Sequence, residues 1–185
     1  MAKVQSSEAI RLTAKRLFAQ RGYEGVSMRI LAKESGIGLS SIYHFFADKD
    51  ELLKSIYQET NTRLGAERRA LKLKPSFAPA LGQLIEFQFA HMEDVVFVLK
   101  YYMHYRSDFA ALPTKTLPPK STLHVQEVMQ RAVDNGEMKL SPDMLERQSR
   151  IVAHAINGFM LEYYPDCPDI AERRRIANDI VSFTV

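Results

Sequence analysis

The stretch "GIGLSSIYHFFADKDELL", residues 36–53, joins a short apolar pattern to an acidic helix start. Ile42, Phe45 and Phe46 stand at positions i, i+3 and i+4, which predicts a short third helix with one apolar face. Asp48 with Glu51 three residues later is typical of a capping box, so a longer fourth helix is expected to begin there. The hydroxyls and rings between these signals are therefore expected on the free face of the short helix.

Two helices are predicted upstream of this stretch. Apolar residues at helical spacing predict a first helix over residues 6–21, and Gly22 follows where a left-handed cap would end it. Ser27 is a predicted N-cap of a second, very short helix that closes at Gly36. Two short helices joined by a tight turn form a helix-turn-helix, whose second helix can enter a DNA major groove about 12 Å wide.

The excess positive charge of the chain lies in its first third. Residues 1–64 hold 10 Lys and Arg against 7 Asp and Glu, whereas residues 65–185 hold 15 of each. Residues 37–47, which include the predicted recognition helix, contain no acidic residue that would repel phosphate. This distribution favours a polyanionic partner, although charge alone does not exclude chance.

Residues 14–53, "AKRLFAQRGYEGVSMRILAKESGIGLSSIYHFFADKDELL", resemble the N-terminal DNA-binding domain of TetR/AcrR-type transcriptional repressors. The match extends over some forty residues without a gap. The matching positions are Phe18, Gly22, Tyr23, Ser27, Ile30, Ala32, Gly36, Tyr43, Phe46, Lys49, Leu52 and Leu53.

The resemblance implies a set of DNA-binding residues. Ser27, Tyr43 and Lys49 would contact the phosphate backbone and position the protein. The remaining expected residues would read bases or approach the groove edge: Gly38, Leu39, Ser40, Ser41 and His44 in the first role, Met28 and Arg29 in the second. Gly38 departs from the family, which commonly has Ser or Thr there, so one capping or phosphate contact is expected to be lost or taken by a backbone N–H.

The chain as a whole is predicted to be all-α. Further helices are expected over about 76–92, 93–109, 121–135, 142–163 and 168–184. The predicted organisation is a helix-turn-helix DNA-binding domain over 1–50, a linking helix 4 over 51–74, and an effector-binding and dimerisation domain over 75–185.

The last two helices carry broad apolar stripes. In the resembling family, such helices pair two subunits in a four-helix interface, and a homodimer is expected here. The candidate dimerisation residues are Ile151, Val152, Ala155, Ile156, Phe159, Tyr163, Ile176 and Ile180.

Aromatic, methionine and histidine residues are concentrated in the middle helices, which suits a pocket for a small hydrophobic or aromatic effector. Most such residues are expected to be plain core. The candidates are Phe89, Met92, Phe97, Tyr101, His104, Tyr105, His124, Met129, His154 and Asn157.

Several functional classes are disfavoured. The single cysteine, Cys167, and the absence of a signal-like start or a long apolar run favour a cytoplasmic protein without a membrane role. No metal-ligand spacing, phosphate loop or nucleophile elbow is found, so no metal, cofactor or catalytic residue is predicted. The expected function is ligand-responsive transcription regulation, most simply repression at a pseudo-palindromic operator. The alternatives are a helix-turn-helix protein without a small effector, or a helical enzyme or carrier.

Overall fold

A computed structural model describes residues 2–104 and 121–184, with side chains from residue 7 to 104 and from 124 to 184. All regular secondary structure in these ranges is helical, which confirms the predicted all-α class for the described chain. The helices are α1 Ala2–Arg21, α2 Met28–Ser35, α3 Leu39–Phe45, α4 Lys49–Arg69, α5 Phe77–Ala90, α6 Met92–His104, α7 Ser121–Asp134, α8 Pro142–Tyr163 and α9 Ile170–Thr184.

The described residues form two compact units. The first contains residues up to Leu64 and those from Glu93 to His104, and the second contains Gly65–Met92 and residues 121–184. The helix α4 therefore contributes to both units, and α6 belongs to the first from its second residue onward. The domain boundaries expected at residues 50 and 74 stay predictions.

The first unit is built around the apolar faces of α1 to α4. Ile10 and Leu17 of α1 are buried together with Leu31 of α2, Ile42 of α3 and Leu52 of α4. Each such side chain stabilises the folded state by about 1.5–3 kcal/mol relative to exposure. These anchors fix the angle between the two short helices, and so determine which face of α3 remains free.

In the second unit, α7 packs against α8, and α5 packs against both α7 and α9. Its fully buried side chains include Leu81, Met129 and Met160. Ser141 caps α8 by accepting a hydrogen bond from the backbone N–H of Met144 at 3.3 Å. None of the helices in the described ranges is both long enough and apolar enough to cross a lipid bilayer.

Candidate nucleic-acid interface and effector cavity

The second helix of the first unit is held at both ends. The Ser27 Oγ accepts a hydrogen bond from the backbone N–H of Ile30 at 3.2 Å, which satisfies one free donor of the first turn. Gly36 ends α2 with φ of 68°, a left-handed conformation that suits glycine. Ser27 thus acts as the predicted N-cap, and its side chain is exposed at the start of the helix.

The third helix presents a polar face to solvent. Ile42 is fully buried and Phe46 is nearly so, which anchors the helix through one side. The side chains on the other side are exposed: Ser40, Ser41, Tyr43 and His44. Tyr43 alone exposes 50% of its surface. The arrangement gives α3 the outward hydroxyls and rings that the sequence predicted.

The first turn of α3 has no side-chain cap. Gly38 is its N-cap residue and has no side chain that could cap the helix. Its backbone carbonyl accepts a hydrogen bond from the N–H of Ile42 at 3.1 Å. Leu39 is half-buried, so only part of this side chain is available to a partner. The N-terminal amides of α3 are left to water or to an anion.

Two carboxylates cap the start of α4. The Asp48 Oδ1 accepts from the backbone N–H of Glu51, and the Glu51 Oε2 accepts from the backbone N–H of Ala47, both at 2.7 Å. This is a capping box shifted by one residue, because the reciprocal bond reaches Ala47 rather than Asp48. The turn between α3 and α4 is therefore fixed by the acids that the sequence singled out.

Lys49 has protein partners rather than a free ammonium. Its Nζ donates to the backbone carbonyls of Tyr23 at 3.1 Å and Val26 at 3.0 Å, and it lies 3.7 Å from the centre of the Tyr23 ring. The Tyr23 hydroxyl in turn bonds the carboxylate of Asp50. The sequence assigned Lys49 to phosphate, but here the ammonium ties the loop between α1 and α2 to the start of α4.

The two residues expected at the groove edge differ in exposure. Arg29 is exposed on α2. Met28 is only 7% exposed, so its side chain lies in the core of the unit, and its expected place at the groove edge stays a prediction. The reason is its position at the first turn of α2, on the same side as buried Leu31.

Comparison with known proteins identifies this unit. Residues 10–56 match the family model of bacterial regulatory proteins of the tetR family. The N-terminal domain is therefore similar to the TetR family over these residues. The transcriptional repressor AcnR of Corynebacterium efficiens is 36% identical to this chain over 61 residues, and a transcriptional regulator of Staphylococcus aureus is 36% identical over 55 residues. These alignments span only about a third of the relatives, 32% and 30% of their lengths, and 33% and 30% of this chain.

Solved structures resemble almost the whole chain. A TetR-family transcriptional regulator from Rhodococcus has a TM-score of 0.74 at 16% identity, covering 97% of this chain and 98% of its own. The ketosteroid transcriptional regulator KstR2 of Mycobacterium tuberculosis has a TM-score of 0.70 at 18% identity, covering 96% and 92%. At such identities the likeness concerns the fold. The named relatives and neighbours are regulators, in line with the expectation that this chain is not an enzyme.

The helix α6 packs within the same unit as the TetR-family domain. Asp94 in its first turn is 9% exposed and forms ion pairs with Lys15 of α1 and Arg63 of α4. Burial alone would raise the pKa of Asp94, but hydrogen bonds and charges from Lys15 and Arg63 outweigh it and hold that pKa below its ordinary value. The Lys100 ammonium also bonds the carbonyl of Ala19 at the end of α1.

Three of the expected effector residues take part in this packing. Phe97, Tyr101 and His104 lie on α6 in the first unit, where Tyr101 stacks on Tyr57 at 3.8 Å and His104 on Tyr23 at 4.2 Å between ring centres. Their rings pack within the first unit, and their expected role in effector binding stays a prediction. Tyr105 lies outside the described residues.

The second unit contains a small cavity lined by four helices. Its lining consists of Arg68 from α4, Leu84 and Gln88 from α5, His124 and Val125 from α7, and Ala153 and Ile156 from α8. The cavity holds about 10 Å³, room for one water molecule. Only His124 among the predicted effector residues lines it. Phe89, Met92 and Met129 are core residues, His154 is exposed and Asn157 is half-buried.

The dimerisation candidates also divide by exposure. Val152, Ile156, Ile176 and Ile180 are buried within the unit itself. Ile151 is 52% exposed, while Ala155, Phe159 and Tyr163 are half-buried. Two large apolar side chains that the prediction did not name, Leu161 and Phe183, are 37% and 79% exposed. The role of the candidates in a dimer stays a prediction. The apolar stripes were broad enough that spacing alone could not separate the inward side from the outward side.

Proposed function

We propose that this chain is a DNA-binding transcription regulator that acts in the cytoplasm as a homodimer, represses a pseudo-palindromic operator, and releases it when a small effector binds. The observation that carries the proposal is the free face of α3. Its hydroxyls and rings are exposed, no acidic residue occurs over 37–47, and the surrounding sequence matches the tetR family model.

In this proposal, phosphate contacts position α3 in the major groove. Ser27 and Tyr43 are exposed hydroxyl donors at the start of α2 and on α3, and Arg29 supplies a nearby exposed cation. Lys49 contributes indirectly, by holding the loop that precedes Ser27.

Base reading is assigned to the start and free face of α3. Ser40, Ser41 and His44 offer donors and acceptors to base edges, and Leu39 offers an apolar contact to a thymine methyl group. Gly38 lets the backbone approach closely, because no side chain stands at this position.

The dimer is proposed to form through exposed apolar residues of α8 and α9. Ile151 and Leu161 on α8 and Phe183 on α9 are large hydrophobic side chains left in solvent within one copy of the chain. Gly158 is exposed on α8, and a Cβ built there meets nothing within 4 Å in its own subunit, so a partner helix can approach closely. A two-fold dimer would place two α3 helices on half-sites about one helical turn apart or multiples of it.

Effector binding is proposed for residues of the expected 75–185 domain, with the expected 51–74 segment linking it to the 1–50 domain. The effector predicted from the sequence is small and hydrophobic or aromatic, and the apolar side chains of Leu84, Val125 and Ile156 around the cavity support this class. Coupling between effector and operator is limited to the effector's preference for one state, typically about 1–3 kcal/mol.

A second candidate is a regulator with the same DNA-binding domain but no small effector. The small volume of the cavity, about 10 Å³, favours it, because an effector must displace lining side chains to enter. A helical enzyme or carrier is the remaining alternative, and a cofactor that copurifies with the protein would favour it.

The first test selects bound fragments from random double-stranded DNA with the purified full chain at low and near-physiological salt. We expect a two-fold-symmetric motif that persists at the higher salt. A double variant, S41A/H44A, should change the preferred bases more than the overall affinity. Selection of unpatterned DNA, or of the same motif by the variant, would contradict the assigned role of α3.

A further inference from the structure

The charge of Arg68 in the cavity of the second unit has no counter-charge among the described residues. The side chain is half-buried, no carboxylate of the described chain forms a salt bridge with it, and its guanidinium carbon lies 5.4 Å from the centre of the Phe87 ring. Burial lowers the pKa of Arg68, and no neighbouring acid offsets this effect. A cation that is partly withdrawn from water is ordinarily paired, because its desolvation without a partner is unfavourable.

Two buried polar side chains line the same cavity with unused hydrogen-bonding atoms. Gln88 is 7% exposed and His124 is 8% exposed. The Gln88 Oε1 and the His124 Nε2 have no hydrogen-bond partner among the described residues. Buried polar atoms are normally satisfied, so two such atoms beside one cation without a counter-charge mark a place that a polar ligand would suit.

The protonation state of His124 follows from its surroundings. Its Nδ1 lies 3.2 Å from the Glu127 carboxylate, which can only accept, so Nδ1 carries the proton. Burial lowers the pKa of His124, and the charges of Arg68 and Arg69 add to this effect against the opposing influence of Glu127. The ring is therefore neutral near pH 7, and its Nε2 accepts a hydrogen bond from whatever occupies the cavity.

We infer that the cavity recognises a small organic acid, whose carboxylate pairs with the Arg68 guanidinium while Gln88 and His124 bond its polar atoms. Arginine suits this role because its planar fork can bind both carboxylate oxygens. The remaining lining residues are apolar, among them Leu84 and Val125, and they suit the carbon skeleton. This inference rests on the proposed effector role of the second unit and adds that the effector carries an acidic group.

The size of the cavity adds a consequence for the mechanism. With room for one water molecule, it can accept a carboxylate oxygen but not the skeleton of an acid. Binding must therefore displace side chains of α5, α7 or α8 around Arg68. A ligand that changes the packing of its own site has the differential affinity for two states that a switch needs.

The test measures acid binding to the full chain in the absence of DNA, by calorimetry and by the shift in melting temperature. The probes are sodium benzoate and sodium hexanoate, with benzamide, hexanamide and sodium sulfate as controls for charge and for inorganic anions. We expect at least one carboxylate to bind while its neutral amide and sulfate do not. Equal binding of sulfate would reduce the site to a general anion site and overturn the inference, as would no binding of any carboxylate at millimolar concentration.

Matched variants locate the interaction. R68M should weaken carboxylate binding about tenfold or more, because it removes a charge-assisted pair. R69M, at the exposed neighbouring position, should bind as the unaltered chain does. R68Q serves as a second replacement should R68M not fold, and carboxylate binding retained by the folded variant would refute the assignment. Operator binding by the unaltered chain is measured separately without acid, so failure of this site is separable from failure of the proposed DNA-binding function.

Discussion

Replacement of Lys49 by methionine separates two roles that this lysine could have. Methionine keeps most of the side-chain length but removes the ammonium, and with it the hydrogen bonds to the carbonyls of Tyr23 and Val26. Each bond contributes about 1 kcal/mol at a half-buried position, and the contact with the Tyr23 ring adds about 0.5 kcal/mol. K49M should therefore lose about 2–3 kcal/mol of stability, or about 4–12 °C in melting temperature for a chain of this size.

The effect on DNA binding distinguishes this structural role from a phosphate contact. Without these bonds the loop between α1 and α2 is less well held, which lowers the fraction of DNA-binding domains in the binding conformation. Operator affinity should therefore fall by a similar factor at every salt concentration. Loss of one phosphate contact would instead reduce the slope of log affinity against log salt by about 0.9. The assay is fluorescence anisotropy on a labelled operator from about 50 to 200 mM salt, paired with thermal melts.

The exposed Lys54 of α4 provides the control. K54M removes the same charge without the two backbone contacts, and its melting temperature should stay within about 1 °C of the unaltered chain. If K49M melts at the same temperature as the unaltered chain and shows a shallower salt dependence, the bracing role is refuted. Lys49 would then be assigned a contact with a DNA phosphate.

Three further changes test other parts of the structure. G25A should destabilise the first unit, because a Cβ there lies 2.4 Å from the carbonyl oxygen of Arg21, whereas G158A meets nothing within 4 Å and should leave the melting temperature of the monomer unchanged or raised. F183E should shift the protein towards monomer in analytical ultracentrifugation without changing its helicity by circular dichroism, and an intact dimer would place the interface elsewhere. D94N should cost about 2–4 kcal/mol in urea unfolding at pH 7. Since the pKa of Asp94 is lowered on folding, this contribution is complete above about pH 5 and is lost as pH falls through the folded pKa, so the difference between D94N and the unaltered chain must shrink in acid.

The first unit was largely predictable because its signals are local. Caps and glycines act within three or four residues, so Ser27, Gly36 and Asp48 indicated where helices begin and end. Apolar spacing on α3 likewise determined that Ile42 is buried and Tyr43 is exposed. The partner of Lys49 could not be read in the same way, because its acceptors lie 23 and 26 residues away in the sequence.

The packing partners of the effector candidates could not be predicted, because periodicity indicates that a face is buried but not what covers it. The aromatic stripe of α6 suited a pocket, yet Tyr101 stacks on Tyr57 within the first unit. Arg68 gave a signal that was overlooked. It stands four residues after buried Leu64, and residues at this spacing lie on the same face of a helix, where an arginine is uncommon.

The helix α4 contributes a residue to each of the two proposed sites. Lys49 at its first position braces the loop before α2, and Arg68 near its last position lines the cavity. K49M and R68M therefore test the two proposals separately, because K49M addresses the DNA-binding domain and R68M addresses the cavity.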